Sequence, residues 1–348
     1  VKSAKDSEKL TLENTIFSYV LNDILQEKGY IDTTRKVLKN SYANNLYLNA
    51  TITNYTVHHI KNTAGLSGGS GGMLFMDLGI TWEVLDYYKV PILKDSTLST
   101  SGQFAFACYT DIEEAAAKAI ADAMEVGLTK IMDSEKLQKA LVDTSDIQKE
   151  KPQARLDIPK ADAYLSTLGQ AIQAALTIKT NKGFGSGFLI SSDGYIISNY
   201  HVIADTTGLQ VILNDETKHP AKIVRVSKAH DLALLKIEVQ DKVPFQISPS
   251  KDIEIAQEIY AVGTPTAEDL SQTISKGIIS GIRKGDDGAR LIQTDASVNG
   301  GNSGGPLVTK EGLVLGVGSS KVKGFGIEGV AFVIPAYQIL EQLKIDLK

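Results

Sequence analysis

From residue 163 to residue 348 the chain breaks into a series of short apolar runs: "GSGFLIS", "GYIISNYHV", "LQVILN", "AKIVRVS", "LALLKIE", "EIYAVG", "QTISKGIISGI", "ARLIQT", "GGPLVT" and "LVLGVGSS". Turn-forming residues end each run. Strands this short and this closely spaced cannot bury their apolar faces one at a time, so they specify an all-β sandwich or a pair of barrels. One short helix after Ala163 precedes the runs, and the stretch "PAYQILEQL" is read as a closing helix.

The remaining residues have a different character. Leu12 to Lys28 carries apolar positions at Ile16, Val20, Leu21, Ile24 and Leu25 and stops at Gly29, the pattern of a helix. Alternation at Leu46, Leu48, Ala50 and Ile52, and again from Leu74 through Met76, Leu78, Ile80 and Trp82 to Val84, specifies half-buried strands. Between them "GLSGGSGGM" is read as a loop within one domain. A second helix is expected behind a capping box formed by Thr110 and Glu113, with Ile112, Ala116, Ile120, Ala123, Gly127 and Ile131 as its apolar stripe. The polar stretch "DTSDIQKEKPQAR", with a helix-breaking proline, marks a linker centred on Gln148 to Arg155. We therefore expect an α+β accessory or binding domain over residues 1–147, a linker over 148–162 and a β domain over 163–348.

Composition narrows the function. With 348 residues, 43% of them hydrophobic and a net charge of -5, the chain has no basic face for nucleic acid. No run of about 18 apolar residues exists to span a bilayer, and "VKSAKDSEKL" lacks the apolar core of a signal peptide, so any targeting segment is expected to have been removed already. Cys108 is the single cysteine, which rules out an internal disulfide; its apolar setting suits a small buried hydrophobe.

"NGGNSGGPLV", Asn299 to Val308, taken alone is a glycine-rich turn between strands. A serine attacks only if a base removes its proton. His201 follows the apolar run "YIIS", and Asp231 opens "DLALLKIE"; with Ser303 they stand in the order His, Asp, Ser, one of those in which the serine triad recurs. Ser303 is then the nucleophile, His201 the base and Asp231 the group that fixes the histidine tautomer. Backbone N–H groups of Gly301 and Ser303 are the candidates for the oxyanion hole, with Gly301 permitting the unusual backbone angles required. Activity is expected to rise through about pH 6 to 7.5.

The other histidines have plainer readings. His58 and His59 are neighbours on a strand, point to opposite faces, are poorly placed to share a metal and are read as surface or edge histidines. His230 points away from its neighbour Asp231, and His219 is solvated in a turn. Trp82 and the tyrosines after it are read as core packing. No phosphate loop, zinc-ligand spacing or EF-hand loop is present, and neither a metal nor an organic cofactor is expected.

The stretches "GSGFLISSDGYIISNYHVI", "DLALLKIE", "YAVGTPTAEDLSQTISKGIISGI", "LIQTDASVNGGNSGGPLV" and "GVAFVIP" resemble the trypsin-like serine proteases, and within them the HtrA (Deg) group. The resemblance implies a double β-barrel with His201, Asp231 and Ser303 in the cleft between barrels and Gly301 in the oxyanion hole. It places Val298 in the primary specificity pocket and pairs Gly318, Ser319 and Ser320 with the substrate backbone. No acid stands there to select Lys or Arg, so cleavage after small or medium aliphatic residues is expected. The family further implies unfolded or misfolded protein substrates, protein quality control, a homo-oligomer such as a trimer, and a bacterial periplasm or envelope, with a lipid anchor as one mode of attachment. HtrA proteases usually carry a C-terminal PDZ domain; here the chain ends within about a helix of "FVIPAYQ", so none is expected, and an unrelated N-terminal domain is expected instead. The competing reading makes the N-terminal domain a binding or anchoring module and the protease a latent sensor or chaperone.

Overall fold

The computed structural model describes residues 14–29, 46–61, 71–86, 88–107, 111–145, 153–181, 183–204, 206–264, 273–284, 289–298, 301–319 and 329–348. Cys108, Thr110, Ser320, the glycine-rich stretch 65–70, the beginning of the first expected helix and residues 148–152 of the expected linker lie outside them. The described residues fall into two compact units, one within Val1–Arg35 and Leu46–Ser145, the other within Lys36–Asn45 and Asp146–Lys348.

The first unit is α+β. Helix α1 (Asn14–Glu27) is followed by strands β1 (Tyr47–Lys61), β2 (Gly72–Leu85), β3 (Pro91–Thr100) and β4 (Phe104–Phe106), then by helices α2 (Ile112–Met132) and α3 (Glu135–Ser145). The strands form one antiparallel sheet in the order β1-β2-β3, with β4 also on β2. Alternation along β2 decides which face is buried: Leu74, Met76, Leu78, Ile80, Trp82 and Val84 are all within the core. Against them α2 lays Ala116, Ile120, Ala123, Leu128 and Ile131. Each fully buried aliphatic side chain contributes about 1.5–3 kcal/mol relative to exposure. The helix approaches closely because Gly127 lacks a side chain; a methyl group there would lie 3.2 Å from Thr97 Oγ1 and 3.3 Å from Ile80 Cδ1. Trp82 is fully buried, as the core reading requires, and donates Nε1–H to Thr97 Oγ1 at 2.8 Å.

One local expectation changes. The N-cap of α2 is Asp111, one residue later than the expected capping box requires, so Glu114 rather than Glu113 takes the third helical position. The adjacent histidines lie on the edge strand β1, as expected: His58 Nε2 lies 2.7 Å from Asp77 Oδ2 and its ring stacks on Phe75, while the exposed His59 has its ring against Phe106.

The second unit begins with β5 (Leu156–Ile158) and α4 (Leu168–Ala174), the latter capped by Thr167 Oγ1, which accepts the Gln170 N–H. Strands β6 (Ala175–Thr180), β7 (Gly183–Leu189) and β8 (Tyr195–Ser198), the single turn α5 (Tyr200–Ile203), and strands β9 (Gln210–Ile212), β10 (Lys218–Pro220), β11 (Lys222–Ser227) and β12 (Leu232–Lys236) come next. They build a seven-stranded antiparallel sheet in the order β10-β9-β6-β7-β8-β12-β11. Its two outermost strands are consecutive in the chain and joined at Ala221, so the sheet curls round on itself. Strands β13 (Glu258–Gly263), β14 (Thr273–Lys284), β15 (Arg290–Thr294), β16 (Pro306–Val308), β17 (Val314–Ser319) and β18 (Ala331–Pro335) form a closed barrel in the order β13-β14-β15-β18-β17-β16. Closure leaves no edge strand. Helix α6 (Ala336–Gln342) follows, and β19 (Ile345–Leu347) returns to pair in parallel with β5. No helix among the described residues is long and apolar enough to cross a membrane.

Candidate active site

The apolar strand β8, with Ile196 and Ile197 fully buried, delivers Ser198 and Asn199 into the interior and then turns into α5, which carries His201. His201 is therefore on a helical turn just past the strand. Asp231 immediately precedes β12 and has φ +54°, a left-handed conformation that few non-glycine residues adopt and that aspartate tolerates better than most. Its backbone is held at both ends: the N–H donates to Lys228 O at 3.2 Å, and the carbonyl accepts Asn199 Nδ2–H at 2.9 Å.

The structure brings His201 and Asp231 together. The Asp231 side chain is 1% exposed, and its Oδ2 lies 2.8 Å from His201 Nδ1. Its Oδ1 accepts the His201 backbone N–H at 2.9 Å, and Ser319 Oγ donates to Oδ2 at 3.2 Å. An ionised carboxylate only accepts, so the imidazole proton sits on Nδ1 and Nε2 carries the free lone pair.

Ser303 is 2% exposed and lies in the turn that leads into β16. Asn299 and Gly300, which open its motif, are outside the described residues. The glycine shown in the left-handed region is Gly304, at φ +85°, where a methyl group would lie 2.2 Å from Ser186 O and 2.4 Å from Ser198 Oγ. Gly304 N–H donates to Gly318 O at 3.0 Å, and Gly318 N–H donates to Gly305 O at 2.9 Å, stitching the turn to β17. At Gly185 the two halves of the site converge: a methyl group there would lie 2.8 Å from both methyls of Val202, the neighbour of His201, and 3.3 Å from the Ser303 carbonyl oxygen.

Of the residues expected to contact substrate, Val298 is half-buried and its Cγ1 would lie 3.1 Å from a methyl group on Gly318. Gly318 has its N–H and its carbonyl both bonded to the Ser303 motif, the carbonyl keeping a second lone pair. Ser319 acquires a different contact, through its hydroxyl to Asp231. Ser320 lies outside the described residues. His230 turns its Nδ1 to Ser227 Oγ at 2.9 Å, and His219, expected to be solvated, has Nε2 3.1 Å from Thr217 Oγ1.

Asn199, Ser186 and Ser198, all fully buried, are the residues that inspection of the sequence passed over. The available signal was chemical: polar residues inside or at the end of apolar strand runs must find partners when buried.

Residues 185–317 match the family described as trypsin-like peptidase domain. Over 173 residues the chain is 36% identical to "Serine protease Do-like HtrA" of Bacillus subtilis (strain 168), covering 46% of this chain and 38% of that protein. It is 40% identical over 171 residues to "Probable periplasmic serine endoprotease DegP-like" of Marinomonas sp. (strain MWYL1), covering 47% of this chain and 36% of that one. Among solved structures, a serine endoprotease from Yersinia pestis is similar at 32% identity and a TM-score of 0.45, over 51% of this chain and 66% of that one. The chain thus spans little more than a third of the length of these two curated relatives.

Proposed function

We propose that this chain, which carries a trypsin-like peptidase domain of the HtrA type, is a serine endopeptidase that cleaves unfolded or misfolded proteins. Ser303 Oγ attacks the scissile carbonyl while His201 Nε2 takes its proton. His201 then returns that proton to the leaving amine, and the acyl-enzyme ester is hydrolysed by water activated in the same way. Asp231 keeps the proton on Nδ1 and stabilises the imidazolium as it forms. Gly301 and Ser303 N–H groups receive the developing oxyanion, each such donor being worth about 3 kcal/mol of barrier. No metal or organic cofactor enters these steps.

The observation that carries the reading is the double contact of the buried Asp231 carboxylate with the backbone and ring of His201. A carboxylate shielded this fully and aimed at one imidazole orients a base; a surface ion pair would not need it. The printed names of several relatives include the word periplasmic, and on that likeness we place this protein in a bacterial periplasm or envelope, assembled as a homo-oligomer and serving protein quality control.

Reaction of the full chain with a fluorescent fluorophosphonate, alongside Ser303→Ala and with casein degradation followed in parallel, tests the proposal. Labelling and casein loss that vanish together in the variant are the expected result. A folded wild type that never labels overturns it.

A further inference from the structure

Ser186, in the middle of β7, has no part in the chemistry above, yet it holds the Ser303 turn from two directions. Its backbone N–H donates to the Ser303 carbonyl at 2.9 Å. Its hydroxyl donates to the Gly301 carbonyl at 2.8 Å and accepts the Thr264 N–H at 2.7 Å. The direction of the hydroxyl follows by elimination, because it owns one proton, the Thr264 amide can only donate and the Gly301 carbonyl can only accept. Ser198 Oγ completes the set by donating to the Ser186 carbonyl at 2.7 Å. Ser186 is 0% exposed, and glycines crowd it: a methyl group on Gly263 would lie 2.8 Å from its Oγ, and one on Gly305 would lie 3.3 Å from its Cβ.

A turn this rich in glycine has wide backbone freedom of its own, so its conformation has to be imposed from outside. We propose that Ser186 is a positioning residue for the nucleophile: its hydroxyl fixes the peptide after Gly301, its amide fixes the peptide after Ser303, and together they set where Ser303 stands relative to His201. The proposal rests on the reading of Ser303 as nucleophile.

Ser186→Ala removes the hydroxyl and keeps the amide bond. In the full chain, with folding checked by circular dichroism, kcat on a peptide substrate is expected to fall about 10- to 100-fold, since misplacing a reacting group by about 1 Å has effects of that size. KM stays within about twofold, because substrate contacts are untouched. Crystal structures of the wild type and the variant are expected to show the 301–304 turn displaced. A folded variant with unchanged kcat, a loss confined to KM, or an undisplaced turn overturns the proposal. If Ser186→Ala does not fold, Ser186→Cys is judged by the same criteria. If the wild type neither labels nor cleaves, it is the role of Ser303 that has failed, and the two crystal structures still decide whether Ser186 sets the turn.

Discussion

Asp231 meets His201 twice, through the backbone amide at 2.9 Å and through Nδ1 of the ring at 2.8 Å, each carboxylate oxygen serving one contact. The first fixes where the helical turn begins relative to the acid, and the second fixes how the ring is rotated and which nitrogen is protonated. A neutral amide at position 231 can satisfy the backbone contact with its oxygen, but its NH2 then faces Nδ1 and forces the proton to Nε2. For Asp231→Asn we expect kcat to fall about 10³- to 10⁴-fold with little change in KM. Steady-state kinetics on a chromogenic peptide give both numbers.

The pH profile follows from the same geometry. Nε2 accepts a proton only while it is free, so protonation of His201 at low pH removes the base. Fluorophosphonate labelling is expected to decline on acidification, approaching tenfold per pH unit on the acid limb. A labelling rate that is flat from about pH 5 to 9 contradicts the role given to His201.

Gly304 tolerates no side chain. Its φ of +85° and the 2.2 Å approach of a methyl group to Ser186 O mean that Gly304→Ala must move either the turn or β7. Destabilisation of about 3 kcal/mol or more is expected, together with loss of labelling. Urea unfolding followed by circular dichroism measures the first, and gel fluorescence the second.

Asn199 holds the left-handed backbone of Asp231 through a bond to its carbonyl, in an environment closed to water. Asn199→Ala removes that hydrogen bond, and a stability loss of about 0.5–1.5 kcal/mol is expected in the same urea experiment. A loss in kcat should accompany it, because the conformation of Asp231 aims the carboxylate.

These features differ in how readable they are from the chain alone. The buried face of β2 is visible because six apolar residues recur at a period of two, and the stripe of α2 is visible because its small and branched residues recur at helical spacing. His201, Asp231 and Ser303 stand out because each sits in a distinctive local sequence. Ser186, Asn199 and the hydroxyl of Ser319 have no such period. Each is one polar residue whose partner lies far along the chain, 115 positions away for Ser186 and Gly301 and 88 for Ser319 and Asp231. Only the folded topology says which of them meet. The pairing of Gly318 to the Ser303 motif has the same origin, since it depends on how the barrel closes.

In the first unit, the hydrogen bond from Thr100, followed by the one from His58, holds the Asp77 carboxyl below the usual aspartate range. A carboxyl with a depressed pKa adds stability above the ordinary value of about 3.9, and that stability is lost as pH falls through the depressed one. Thr100→Val removes the larger cause, so acid unfolding of this sheet should begin at a higher pH. Trp82, the one tryptophan of the chain, is buried in the sheet, and its fluorescence during acid titration reports the shift.

The parallel pairing of β5 with β19, reinforced by Arg155 Nε to Asp346 Oδ2 at 2.7 Å, joins residues 191 positions apart in the second unit. Tension arriving along the chain ahead of Arg155 therefore meets this pairing before it reaches the turns that carry His201 and Ser303.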